Sequence, residues 1–218
     1  MLLKHNDILK VIAIITMLLD HIGLVFFPQL AFLRIIGRIA FPIFAYQLTI
    51  GYRHTSNKRR YMSRLWIFAI ISQIPYTLLF DTIDFNIMFT LLLSIVLMDQ
   101  VTKGRWMWVF VGLAVVTIPE YIPNIPEFDY HWYGILAPLL FHWFYHSKEK
   151  ALISQVLLVL AYIALGNWTV QVFALLGVLI CLYLPKDAFK VHLNKYFFYW
   201  FYPAHLLILF VALQIVIL

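Results

Sequence analysis

Residues 8–27 read ILKVIAIITMLLDHIGLVFF. Apart from Lys10 and the pair Asp20–His21 the run is apolar, and it has the length of a bilayer-crossing helix, about 20 residues. It lies where a signal peptide would. Further apolar runs follow and no small-residue cleavage site closes it, so it reads as a retained first span. The same pattern recurs along the chain. Apolar segments cover 8–27, 33–52, 65–80, 87–101, 105–119, 132–146, 151–166, 169–184 and 196–218, about nine spans joined by brief loops. Residues 105–119 and 151–166 are short for a span and suit helices buried among their neighbours. Pro28 and the cluster Pro119, Pro123, Pro126 mark turns, and Pro185 closes the eighth segment. Pro42, Pro75, Pro138 and Pro203 fall inside segments, where each removes a backbone hydrogen bond and can kink a helix. No internal repeat and no appended soluble domain are visible. The expectation is an all-α polytopic transmembrane helical bundle forming a single integral-membrane domain over 1–218.

Composition supports this reading. Of the 218 residues 64% are hydrophobic and only 12% charged. That is too little polar surface to cover a compact soluble body. A soluble enzyme, a disordered chain, a coiled coil and a disulfide scaffold are excluded. The single cysteine, Cys181, lies in an apolar run and permits neither an internal disulfide nor a cysteine-based metal site. The net charge of +6 does not imply a nucleic-acid partner, because the basic residues sit between apolar runs as they do in cytoplasmic loops. With the N-terminus cytoplasmic, 14 of the 16 Lys and Arg fall on that side, among them Lys4, Lys10, Lys58 to Arg60, Arg64, Lys186 and Lys190. The opposite loops hold Asp81, Asp84, Glu120, Glu127 and Asp129. This split predicts an N-in, C-out chain.

Arg34 and Arg38 are the two basic residues outside that pattern, and they stand in the second segment with i,i+4 spacing that puts both on one face. Asp20 and His21 lie in the first segment, and His205 lies midway along the last, beside Pro203. Ionisable groups in lipid are expensive and face a cavity or a partner. These five project to the middle or outer half of the bilayer, where one polar pocket can collect them. Adjacent helix residues point about 100° apart, so Asp20 does not orient His21 directly. Pairing of Asp20 with Arg34 or Arg38 would leave His21 to act as a base. The plainer reading is that the charges neutralise one another and fix helix packing. Lys10 stands about 16 Å before His21 along the helix. A thioester with an extended arm can rest phosphates on Lys10 and Arg64 and present its acyl end to His21. The plainer role of Lys10 is to anchor the helix end.

Other groups carry less. His142 and His146 have the i,i+4 spacing of a two-ligand helix face, but no third ligand accompanies them and no metal site is expected. Asp99 and Lys103 suit a local ion pair. Asn86 and Asn167 suit helix caps. Residues 129–134, DYHWYG, suit a lid or an interfacial aromatic belt.

The segment Lys10-Val-Ile-Ala-Ile-Ile-Thr-Met-Leu-Leu-Asp-His-Ile-Gly23 resembles the opening of the TraX family, and Arg34-Ile-Ile-Gly-Arg-Ile-Ala-Phe-Pro-Ile-Phe44 resembles its continuation. His54-Thr55, Tyr61 to Arg64, Ser72 to Pro75, Phe89-Thr90-Leu91 and Phe201-Tyr-Pro-Ala-His-Leu206 fit the same family. The resemblance covers most of the chain and implies N-terminal acetylation of pilin in conjugation. It also implies a multi-pass protein of the bacterial inner membrane. More remotely, the chain is similar to the integral-membrane acyltransferase-3 group, which carries an Arg, ten residues and a His in its first span. The matching positions here are Lys10 and His21; Lys lacks the bidentate fork of Arg. From this the resemblance implies transfer of an acetyl group from cytosolic acetyl-CoA, the donor substrate, to an amine or hydroxyl of a pilin, another peptide or a sugar. His21 is the expected general base, with Asp20, Arg38 and His205 as further catalytic residues. Lys10, Arg34, Arg38 and Arg64 are the expected acyl-CoA contacts. The competing class is a non-enzymatic transporter or helper that binds a peptide, lipid or sugar in the same pocket; the missing repeat speaks against a transporter.

Overall fold

The computed structural model describes residues 7–184 and 195–217. Pro185 and the loop cations Lys4, Lys186 and Lys190 lie outside these residues. The described chain is helical: α1 (Asp7–Phe26), α2 (Ala31–Gly37), α3 (Ala40–His54), α4 (Lys58–Phe80), α5 (Ile87–Thr102), α6 (Met107–Thr117), α7 (His131–Trp143), α8 (Lys148–Ala164), α9 (Ala174–Tyr183) and α10 (Lys195–Ile217). Short 3-10 turns occupy Ile118–Tyr121 and Thr169–Phe173. Among the described residues the one β feature is an isolated bridge between Phe85 and Phe128. The all-α expectation holds. Each apolar segment read from the sequence falls on helix, and four stretches are long and apolar enough to cross a membrane: α1, Ala31–His54, α4 and Tyr196–Ile217. Large apolar side chains such as Phe110, Ile74, Leu165 and Ile208 are exposed, the surface that hydrocarbon tolerates and water does not.

Two segments are broken rather than continuous, and each break bears on the site. The second, 33–52, divides at Arg38–Ile39. Pro42 stands four residues after Arg38, and in an unbroken helix its ring would meet the Arg38 carbonyl. The helix therefore stops and restarts, and Pro42 falls in the first turn of α3, where no N–H is needed. The kink expected at Pro42 is a full interruption. The eighth segment, 169–184, opens as a 3-10 turn before α9.

Pro138 shows the opposite outcome. It leaves the Gly134 carbonyl without its helical donor, yet α7 continues; the Ser94 hydroxyl, which bonds the Thr90 carbonyl at 2.9 Å, lies 3.3 Å from that oxygen. Helix starts follow the side-chain rule where the loops allow it: Asn57, Asn86 and Ser147 accept from Arg60, Met88 and Lys150 backbone N–H groups. The expected cap at Asn86 is present; the turn at Thr169 has Trp168 in the cap position with no side-chain bond.

The helices group into two compact units, one drawn from residues 7–51 and 140–184, the other from 52–139 and 195–217. In the first, α1 packs on α2, the turn Thr169–Phe173 packs on α2, α8 and α9, and α8 packs on α9. Its core includes Ala13, Ile43, Ala45, Phe141, Val159, Ala174 and Val178. In the second, α4 packs on α10 and α5, and α5 packs on α6. Phe68 stacks on Tyr199 and meets Trp200 edge-on, which joins α4 to α10.

Candidate functional site

The α1–α2 hairpin is closed by a turn in which the Leu30 N–H bonds to the Phe27 carbonyl at 2.9 Å, with Pro28 at the position that favours its fixed φ. The two helices come close because glycines face them. A Cβ on Gly23 would sit 2.6 Å from the Leu33 Cβ, and one on Gly37 would overlap the Asp20 carboxylate. Glycine at 37 is therefore the condition for Asp20 to lie against α2.

That approach builds an ion cluster. Arg34 Nη1 donates to Asp20 Oδ2 at 2.8 Å, and Arg38 Nη2 donates to Oδ1 at 3.0 Å and to Oδ2 at 2.9 Å. Asp20 and Arg38 are only 8% and 6% exposed, so the pairing takes place away from water. A carboxylate removed from water needs such partners; here one carboxylate holds two guanidiniums. Arg38 also donates from Nε to the Arg34 carbonyl at 3.4 Å. The Trp168 ring lies beneath both, with the Arg34 and Arg38 guanidinium carbons 5.4 and 5.9 Å from its centroid. An aromatic face adds attraction for a cation, here from a ring that is itself largely exposed. Trp168 had no signal in the sequence beyond being one aromatic among many.

His21 follows Asp20 on α1 and is half-buried, about 100° further round the helix. Asp20 is thus engaged with arginines rather than with His21, the arrangement expected from the helix geometry. Lys10 is paired within its own turn: its Nζ lies 2.7 Å from Asp7 Oδ1. Lys10, Asp20, His21, Arg34, Arg38 and Trp168 all belong to the first unit.

Arg64 and His205 belong to the second. Arg64 lies over the Tyr61 ring at 5.8 Å, and the Tyr199 hydroxyl is within its hydrogen-bonding reach. His205 is 3% exposed; its Nδ1 meets the Phe201 carbonyl at 2.8 Å and its ring stacks on Phe201 at 4.9 Å. A carbonyl only accepts, so Nδ1 carries the proton in that bond. Tyr202, buried beside it, has its ring centroid 5.5 Å away.

The remaining groups have structural explanations. Asp99 pairs with Lys103 and accepts from the Tyr52 hydroxyl at 3.2 Å. His142 lies in the last turn of α7, whereas His146 lies in the turn beyond it, so the two do not share a helix face. Among the described residues no group of three or more His, Cys, Asp or Glu is placed to hold a metal ion. The stretch after Asp129 is strained: Tyr130 and His131 have φ of 61° and 45°. His131 lies between Glu120 and Glu127, at 3.2 and 3.7 Å.

Fold and cluster together define an α-helical membrane protein whose first helical hairpin encloses an acid held by two arginines. The chain matches the family model described as TraX protein over residues 5–213, and it belongs to the TraX family. It is similar to a protein named probable fimbrial assembly protein FimC, serogroup H1, of Dichelobacter nodosus, 28% identical over 92% of this chain and 92% of that one. It is similar also to Protein TraX of Escherichia coli strain K12, 25% identical over 94% of this chain and 86% of that protein. Another Escherichia coli Protein TraX is 38% identical over a shorter stretch, 39% of this chain and 35% of that one. No solved structure matches.

Proposed function

We propose that this protein is a multi-pass acyltransferase of the bacterial inner membrane. It moves an acetyl group from cytosolic acetyl-CoA to an amine or hydroxyl on the outer side, with a pilin or peptide N-terminus the favoured acceptor. The observation that carries the proposal is the Asp20–Arg34–Arg38 cluster set next to His21 inside a spanning hairpin. Membership of the TraX family and a relative named for fimbrial assembly support the acceptor class.

The chemistry follows from the residues. His21 takes a proton from the acceptor amine or hydroxyl, which attacks the thioester carbonyl. The C–S bond breaks, the thiolate leaves, and it recovers a proton, so that an acetylated acceptor and free coenzyme A result. General-base help of this kind contributes about 10²–10⁴-fold. Charge developing on the carbonyl oxygen meets Arg34 and Arg38, which Asp20 holds in place; Asp20 acts as a positioning residue. Preorganised donors in a dry site stabilise such an oxyanion without rearrangement. Lys10, at the start of the same helix as His21, offers a cation for the phosphates of the donor.

The test is transfer or release of labelled acetyl from acetyl-CoA by purified protein. Wild type is expected to turn it over, and His21→Ala is expected to lose activity by at least about 10²-fold while melting like wild type. Unchanged turnover in that variant removes the assignment of the base.

A further inference from the structure

The second unit carries an apolar surface that the proposed chemistry does not use. Phe110 and Val115 of α6 are exposed, and the exposed face continues past the helix end through Ile118, Tyr121, Ile122 and Ile125. Tyr121 is 79% exposed. A contiguous apolar surface of this kind marks a contact.

Three features say what covers it. The first is charge. The residues from Tyr121 to Ile125 are exposed and uncharged, and the acids that flank them are turned to His131. Glu120 Oε1 lies 3.2 Å and Glu127 Oε2 3.7 Å from its ring nitrogens. The second is the backbone, since an N–H placed in lipid finds no partner there. Pro119, Pro123 and Pro126 have no N–H at all. The Ile118 N–H bonds to the Ala114 carbonyl, the Ile122 N–H to the Pro119 carbonyl at 3.0 Å, and the Ile125 N–H to the Ile122 carbonyl at 3.4 Å. The third is length. Met107–Tyr121 is an apolar stretch of α6 followed by a 3-10 turn, and it rises only about 24 Å, against about 30 Å for the hydrocarbon core. A stretch this short draws the membrane surface toward its own ends. Trp106 and Trp108 stand exposed at one end and Tyr121 at the other, the positions that interfacial aromatics take.

We propose that residues 118–125 form an interfacial wedge, with Ile118, Tyr121, Ile122 and Ile125 seated among the lipid headgroups and the first carbons of the acyl chains at one face of the membrane. The occupant of the surface is lipid. It continues the hydrocarbon-facing side of α6 onto the turn, while the contacts of Glu120 and Glu127 with His131 keep the acids on the other side. This placement holds whether or not the chain transfers an acyl group.

Nitroxide labels on the full chain in vesicles of phosphatidylcholine and phosphatidylglycerol test it. Each protein carries Cys181→Ala, which removes the one native cysteine, and a single added cysteine. Ile122→Cys and Ile125→Cys report on the turn. Phe110→Cys is the lipid reference, and Ser56→Cys, exposed beside Lys58 to Arg60, is the water reference. Oxygen concentrates in lipid and a nickel chelate in water, so the ratio of their collision rates with the label reads depth. Both turn labels are expected to give an oxygen-to-nickel ratio several times that of Ser56→Cys and no greater than that of Phe110→Cys. A ratio equal to that of Ser56→Cys at either turn position overturns the proposal, because the turn then stands in water. Labels shielded from both reagents overturn it as well, because protein, a second copy of the chain, then covers the face.

Discussion

Two buried polar groups, one in each unit, are built differently. In the second, Asn86 is fully buried, and every polar atom of it is used: its amide donates to the Ala69 carbonyl at 2.9 Å and to Gln73 Oε1 at 2.8 Å, and its oxygen caps α5. Gln73 in turn donates to the Asp84 carbonyl at 2.7 Å. All members are neutral and their partners are local to α4, α5 and the loop between them. Such a network fixes a loop and offers a ligand nothing. In the first unit the buried group is ionic, two guanidiniums share one carboxylate, and an amide donor at Gln171 stays unsatisfied. A neutral, completed network serves packing; a buried carboxylate between two guanidiniums is tolerated only while its partners stay in place.

Substitutions sharpen the contrast. The largest effect is expected at Asp20→Ala, which leaves two guanidiniums buried against each other. Removing one partner of a buried ion pair costs about 3–5 kcal/mol. Denaturant or thermal titration in detergent should show it, and donor binding should go with it. Asn86→Ala should cost less, about 1–3 kcal/mol, through a lost cap and stranded partners. Its folded fraction should turn over donor at the wild-type rate, since Asn86 has no part in the proposed chemistry. An Asn86→Ala protein that folds normally but does not turn over would erase the distinction between the units. The smallest effect belongs to Lys103→Ala. This half-exposed partner of Asp99 sits one helical turn away, and pairs of that kind contribute about 0.2–1 kcal/mol.

Much of this was legible in the sequence. Charges inside apolar runs announce themselves, so Asp20, His21, Arg34 and Arg38 stood out at once, and the i,i+4 spacing of the arginines put them on one face. The break at Arg38–Ile39 was written in Pro42, four residues on, though the sequence gives no measure of whether a proline kinks a helix or ends it; Pro138 stands inside α7, which runs on through it. Trp168 and Gln171 were not legible. A tryptophan beside an apolar segment looks like any interfacial aromatic, and a glutamine in a short turn carries no periodicity. Their places come from packing of the turn Thr169–Phe173 onto α2, a contact between residues far apart in the chain. Gly37 lay between the two arginines in plain view, but its meaning depends on which side chain it admits.

Intact-mass spectrometry of secreted and surface peptides, from cells carrying the wild-type chain or His21→Ala at equal membrane levels, addresses the central claim most directly. A single acetyl increment on one peptide in the wild-type cells, absent from the His21→Ala cells, is the predicted result. The same increment in both would contradict a buried imidazole as the base of an acetyl transfer.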